Sequence, residues 1–188
     1  GSGGTPVVEL DGSLAGAGVS GLRLATGGAT VKGLAINRFS ANGILLLTGG
    51  GNTIQGNFLG LNPAGTAAPN GTSGIEIRTT GNTIGGAGAG NVISGNLQFG
   101  ILLTGGTNTM LGNRIGTNPA GTAAVANGLY GMYVTSAGNQ IGGPTPAEGN
   151  RLVGLYTSTT MQSPAMDVIG VDHVIQNNVI GIDANDDL

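Results

Sequence analysis

The chain of 188 residues carries a net charge of −3, with 40 glycines, no cysteine and charged side chains at only 8% of positions, yet its hydrophobic fraction is 39%. That balance excludes a solvated disordered chain, and glycine without a three-residue period excludes collagen. The absence of cysteine removes disulfides, thiolate nucleophiles and cysteine metal sites, no apolar run approaches the ~20 residues of a membrane-spanning helix, and six singly scattered basic residues offer no stripe to a nucleic-acid backbone.

In chain order, Gly1-Ser2-Gly3-Gly4 lacks the charged and apolar regions of an export signal and reads as a tag remnant or linker. Val7-Val8-Glu9-Leu10-Asp11 is suited to an initial partial coil. A pattern of Gly, apolar, any, apolar then begins at Gly21, Gly43, Gly74, Gly100 and Gly131, with a Gly-less version at Ala165. A second short segment follows in the later coils: NTI at 52 and 82, NTM at 108, NQI at 139 and HVI at 173. A third comes next: NFL at 57, NVI at 91, NRI at 113, NRL at 150 and NVI at 178. Gly, Pro, Ala, Thr and Asn-rich stretches of varying length separate the segments, as loops do between fixed strands.

A larger repeat encloses the small one. Asn62-Pro63-Ala64-Gly65-Thr66-Ala67-Ala68 recurs unchanged from Asn118 to Ala124, inside a duplicated unit of roughly 57 residues. No 3.6-residue period competes, and glycine at this density would cost a helix about 1 kcal/mol per site. The reading is therefore all-β: a single right-handed parallel β-helix over residues 1–188, about six coils of three short strands, forming a rod about 29 Å long at ~4.8 Å per coil. Period-two alternation points Leu22, Ile44, Ile75, Ile101, Met132 and Met166 inward, with Leu24, Leu46, Ile77, Leu103, Val134 and Val168 beside them. Asn52, Asn82, Asn108 and Asn139 form one amide column, and Asn57, Asn91, Asn113, Asn150 and Asn178 a second.

The GNTIxGN-type runs at 51–57 and 138–141, NVISGN at 91–96 and IGTNPAGTAA at 115–124 carry a resemblance to the right-handed β-helix repeats of large bacterial secreted and cell-surface proteins, and more distantly to the pectin-lyase-like superfamily. The resemblance implies a secreted or surface location. It leaves activity open, because the superfamily joins polysaccharide lyases, hydrolases and epimerases to noncatalytic adhesins. Enzymes resembling this fold use clustered carboxylates on the outer face of one sheet. Here the outward positions of the first strand are Arg23, Leu45, Glu76, Leu102, Tyr133 and Asp167. Glu76 and Asp167 fall three coils apart, about 14 Å, beyond the roughly 5 to 9.5 Å of paired glycosidase carboxylates.

The expectation is thus a noncatalytic structural or adhesive module with no catalytic residue, metal ligand set or cofactor. Its binding candidates are those six outward residues, and the ligand a polysaccharide or a protein. Loops of the longer coils folding over this face are the alternative. The competing reading is a carbohydrate-active enzyme using Asp167, Asp172 and His173. His173 stands where earlier coils carry Asn, so a ladder rung is preferred for it, and a lone histidine makes a poor zinc site. Asp183-Ala184-Asn185-Asp186-Asp187 resembles the start of a calcium loop but stops short of a full ligand set. Open coil ends suggest either a fragment of a longer repeat protein or self-association.

Overall fold

The computed structural model describes residues 4–153, 156–157, 161–162 and 164–181. It is a parallel β-helix with three sheets. The first contains Leu22–Leu24, Ile44–Leu46, Ser73–Ile77, Phe99–Leu103, Tyr130–Val134 and Met166–Val168, stacked in chain order. The second stacks Thr30–Lys32, Thr53–Gln55, Thr83–Gly85, Thr109–Leu111, Gln140–Ile141 and Val174–Ile175. Seven strands make the third: Val8–Asp11, Leu34–Asn37, Phe58–Leu59, Val92–Ile93, Arg114–Ile115, Arg151–Leu152 and Val179–Ile180. The extra strand is the partial coil expected at Val7 to Asp11. Between the third and first sheets of the penultimate coil, Tyr156–Thr157 pairs antiparallel with Met161–Gln162.

The register follows the sequence pattern. Leu22, Ile44, Ile75, Ile101, Met132 and Met166 are successive partners, as are Leu24, Leu46, Ile77, Leu103, Val134 and Val168. In the middle coils these side chains are fully buried, joined by Ile36, Ile54, Leu59, Ile84, Ile93, Met110, Ile115, Ile141 and Leu152 in one aliphatic core. Each such burial contributes about 1.5–3 kcal/mol. Glycine recurs at the start of the first-sheet pattern because neighbouring coils leave no room for a Cβ there. A Cβ on Gly43 would run into the Gly74 carbonyl, one on Gly74 into that of Gly100, and one on Gly100 into that of Gly131.

The asparagine columns are hydrogen-bonded ladders. Asn57 Nδ2 donates to Asn91 Oδ1, Asn91 to Asn113, Asn113 to Asn150 and Asn150 to Asn178, each over 2.9–3.0 Å. Asn52 donates to Asn82 and Asn82 to Asn108 in the same sense. The same acceptor oxygens also take a backbone N–H from the preceding coil, as Asn91 Oδ1 does from Asn57, so buried corner amides are satisfied twice over. A third ladder, not anticipated, runs from Asn70 through Asn96 to Asn127 at the corner before the first sheet.

A second, smaller apolar cluster lies on the outer face of the third sheet, where Ala35, Phe58 and Val92 are successive partners. Leu61 and Val125, from the segments flanking the duplicated heptapeptide, pack against it. Here the loops form a second layer over the sheet.

Candidate functional site

Among the outward residues of the first sheet, Arg23 pairs in register with Leu45, Leu45 with Glu76, Glu76 with Leu102, Leu102 with Tyr133 and Tyr133 with Asp167. The column is continuous, as the alternation requires. It is partly covered rather than fully open. Arg23 is exposed, whereas Leu45, Leu102, Tyr133 and Asp167 are half-buried and Glu76 is only 9% exposed.

Glu76 is occupied structurally. Its Oε1 accepts from Arg78 Nε at 2.6 Å and its Oε2 from Asn42 Nδ2 at 2.8 Å. Asn42 Oδ1 in turn accepts from the Ser73 backbone N–H and the Thr72 hydroxyl. The Glu76 carboxylate, as hydrogen-bond acceptor and then as neighbouring charge, holds the Arg78 guanidinium above its usual pKa. Two partners therefore hold the Glu76 carboxylate in place. Three register steps separate it from Asp167, matching the spacing inferred from the sequence.

The structure adds two residues to this face that the four-residue motif leaves out. Phe99 and Tyr130 immediately precede the glycines of their strands and are register partners. Their rings lie 5.9 Å apart and nearly parallel, and Tyr133 completes a triangle at 5.8 Å from Phe99 and 5.0 Å from Tyr130. All three are half-buried and lie outside the aliphatic core. Offset stacking of this kind contributes about 0.5–1.5 kcal/mol per pair beyond area burial and holds the rings rigid. The chain has three Phe and three Tyr in all, so three of six side chains of these two types gather at one spot. The signal was present as an aromatic residue before Gly in FGILL and YGMYV, where the preceding coil has SGIEI.

Asp167, Asp172 and His173 do not share a face. Asp167 projects from the first sheet, while His173 precedes the last strand of the second and serves as the terminal rung of its ladder: the Asn139 backbone N–H donates to His173 Nδ1 at 3.3 Å. That bond places the proton of a neutral ring on Nε2, a buried atom with no hydrogen-bond partner among the described residues. Asp172 is exposed in a left-handed conformation, φ 60°. No group of three or more His, Asp or Glu side chains that could hold a metal occurs among the described residues, and no helix there is long and apolar enough to cross a membrane. The acidic segment Asp183 to Asp187 lies outside the described residues.

What the first sheet presents is a face with a stacked aromatic triad, Leu102 beside Tyr133, and Glu76 between Leu102 and Leu45. The chain matches no protein-family model, no curated protein and no solved structure.

Proposed function

We propose that this protein is a noncatalytic binding module of a secreted or cell-surface protein, and that a polysaccharide docks across the outer face of the first sheet. The observation that carries the reading is the stacked triad of Phe99, Tyr130 and Tyr133. A pyranose ring has an apolar C–H face and a rim of hydroxyls. A flat surface of partly exposed rings and leucines beside tyrosine hydroxyls and the charged Arg23, Arg78 and Asp167 complements both parts. The parallel β-helix supports the reading by presenting such a face on a scaffold that need not rearrange. Membership in the pectin-lyase-like superfamily is part of the proposal and rests on the repeat motifs.

The test is a glycan array followed by titration of any hit against the Tyr133→Ala and Leu102→Ala variants. Loss of about tenfold in affinity for each supports the face as the site. Unchanged affinity in both overturns it. Binding of a protein rather than a glycan, with the same sensitivity to the two variants, would keep the face and replace the ligand class.

A further inference from the structure

The corner ladder of the second sheet changes its chemistry at the last rung. At each earlier rung a side-chain carbonyl takes a backbone N–H from the coil before: Asn52 Oδ1 from Ala29, Asn82 Oδ1 from Asn52, Asn108 Oδ1 from Asn82 and Asn139 Oδ1 from Asn108, all at 2.9–3.0 Å. At the next rung the acceptor is an imidazole nitrogen, His173 Nδ1, which takes the Asn139 N–H at 3.3 Å. A carboxamide oxygen accepts at any pH, whereas an imidazole nitrogen accepts only while it carries no proton.

Both ring nitrogens oppose the protonated form. A proton on Nδ1 would set a donor against the Asn139 N–H. The cation would also leave a charged N–H at Nε2, a buried atom with no hydrogen-bond partner among the described residues, and burying a charge without a partner costs more than burying a neutral group. No acid compensates the ring among the described residues, where the ion pairs join Arg38 to Glu9 and Asp11, and Arg78 to Glu76. Asp172 adjoins the ring in sequence but is exposed, and Asp167 and Tyr133 stand on the outer face of the first sheet. Residues 135–143, the stretch that carries Asn139, include no titratable side chain. On the third sheet Arg151 and Arg114 continue the outward column of Ala35, Phe58 and Val92, and Glu148 turns its Oε2 to the Thr145 backbone N–H and hydroxyl.

This rung joins a lightly anchored coil. Met166–Val168 and Val174–Ile175 are end strands of their sheets, and Ile169, Val174 and Ile175 are 45–53% exposed, whereas Met132, Val134 and Ile141 in the coil before are fully buried. Its backbone is tied by the Ile169 N–H to the Val134 carbonyl, Val174 to Asn139 and Gln176 to Ile141. With few buried apolar contacts to lose, a segment of this kind opens locally at modest cost.

We propose that His173 is a pH-sensitive latch: taking up a proton breaks its rung with Asn139 and releases residues 166–176 from the coil before, uncovering the strand edges at Tyr130–Val134 and Gln140–Ile141. The carboxamide rung from Asn150 to Asn178 keeps Val179–Ile180 in place. The opened segment binds a proton that the closed one excludes, so closure is lost as pH falls and regained as it rises. His173 is the single histidine of a chain without cysteine, and histidine is the side chain that ordinarily changes charge between pH 5 and 8. The latch stands independently of the polysaccharide reading.

Amide hydrogen exchange of the full chain, followed by NMR at pH 7.5 and 5.0 and corrected for the intrinsic pH dependence of exchange, tests it. The opening equilibrium at Ile169, Val174 and Gln176 should rise about tenfold or more at the lower pH, while Val92, Arg114 and Val179 change little. His173→Asn restores the acceptor of the earlier rungs and should remove the dependence, and Asp172→Asn should keep it. Titration of the imidazole signals in the unmodified chain decides the matter even if a variant folds poorly: ring protonation and loss of protection at the three amides should occur together. A protonated ring with those amides still protected, the same pH dependence in His173→Asn as in the parent, or an equal rise at Val92 and Arg114 overturns the proposal.

Discussion

The heptapeptide Asn62 to Ala68 and its copy Asn118 to Ala124 are identical in sequence and begin with the same turn, but the copy closes one residue later, the Asn62 N–H meeting the Thr66 carbonyl and the Asn118 N–H that of Ala123, and the two stand beside different surfaces. In the first, Asn62 Oδ1 accepts the Thr66 N–H at 3.0 Å, and in the second Asn118 Oδ1 accepts the Thr122 N–H at 2.8 Å. Each loop closes with an antiparallel bridge, Leu61 to Ala67 and Thr117 to Ala124. The first is flanked by Leu61, buried with Phe58 and Val92, whereas Gly121 of the second lies against the guanidiniums of Arg114 and Arg151. Local turn chemistry sets the loop, and sheet register sets what lies next to it. A duplication can thus preserve a loop while the column beneath it acquires a new chemistry.

Substitution at the shared outward position separates the two environments most. Phe58→Ala should cost about 3–5 kcal/mol by emptying the small apolar cluster, while Arg114→Ala should fall within about 0.5 kcal/mol of the parent, since lost packing of the aliphatic stem is offset by relief of repulsion from Arg151. Chemical denaturation of both variants measures the contrast, and equal losses would show that the two columns are energetically alike.

A smaller difference is expected at the loop glycines. Both need the left-handed conformation, at φ 79° for Gly65 and 76° for Gly121. A Cβ on Gly65 would meet the Pro119 ring at 2.7 Å, but on Gly121 it would meet the Arg114 Nε at 3.2 Å, the end of a side chain that can move. Gly65→Ala should therefore cost more than Gly121→Ala, whose loss should be about 1 kcal/mol from the backbone alone. Thermal unfolding ranks them, and the reverse order would refute the contact argument. The least separation belongs to the loop caps: Asn62→Ala should cost about 1 kcal/mol and Asn118→Ala somewhat more, because Asn118 also meets the Ala123 N–H and the Thr122 hydroxyl. Equal losses in the same assay would mean that those added bonds contribute nothing.

Most of the fold was legible because glycine, aliphatic alternation and asparagine recur in short motifs that the coil repeats. The third ladder escaped for the opposite reason. Asn70, Asn96 and Asn127 stand in stretches of differing length, so no fixed motif aligns them until the coils are stacked. The outward column of the first sheet was legible in its order, whereas its burial stayed open between two alternatives, because alternation says which side of a sheet a residue faces and nothing about the loops and side chains that cover it. Phe99 and Tyr130 fell outside the motif by one residue, on the far side of the glycine that opens it. The pairing of Arg114 with Arg151 was hidden by their separation along the chain: six basic residues that look scattered in sequence include two that parallel stacking makes neighbours.

The ladders also have a direction. In all three, the Nδ2 group of one coil gives its hydrogen to the Oδ1 of the next coil toward the C-terminus. Most joints along these columns are thus the same joint, head to tail, the exception being the later coils of the Asn52 column, where the Asn108 amide turns to the Thr79 and Gly105 carbonyls and only its backbone N–H meets Asn139 Oδ1; a regular coil copied whole would meet the same kind of partner above and below. Length in such a rod changes by whole rungs of ~4.8 Å, which makes the β-helix a graduated spacer whose reach can be reset by copying a segment without redesigning its connections.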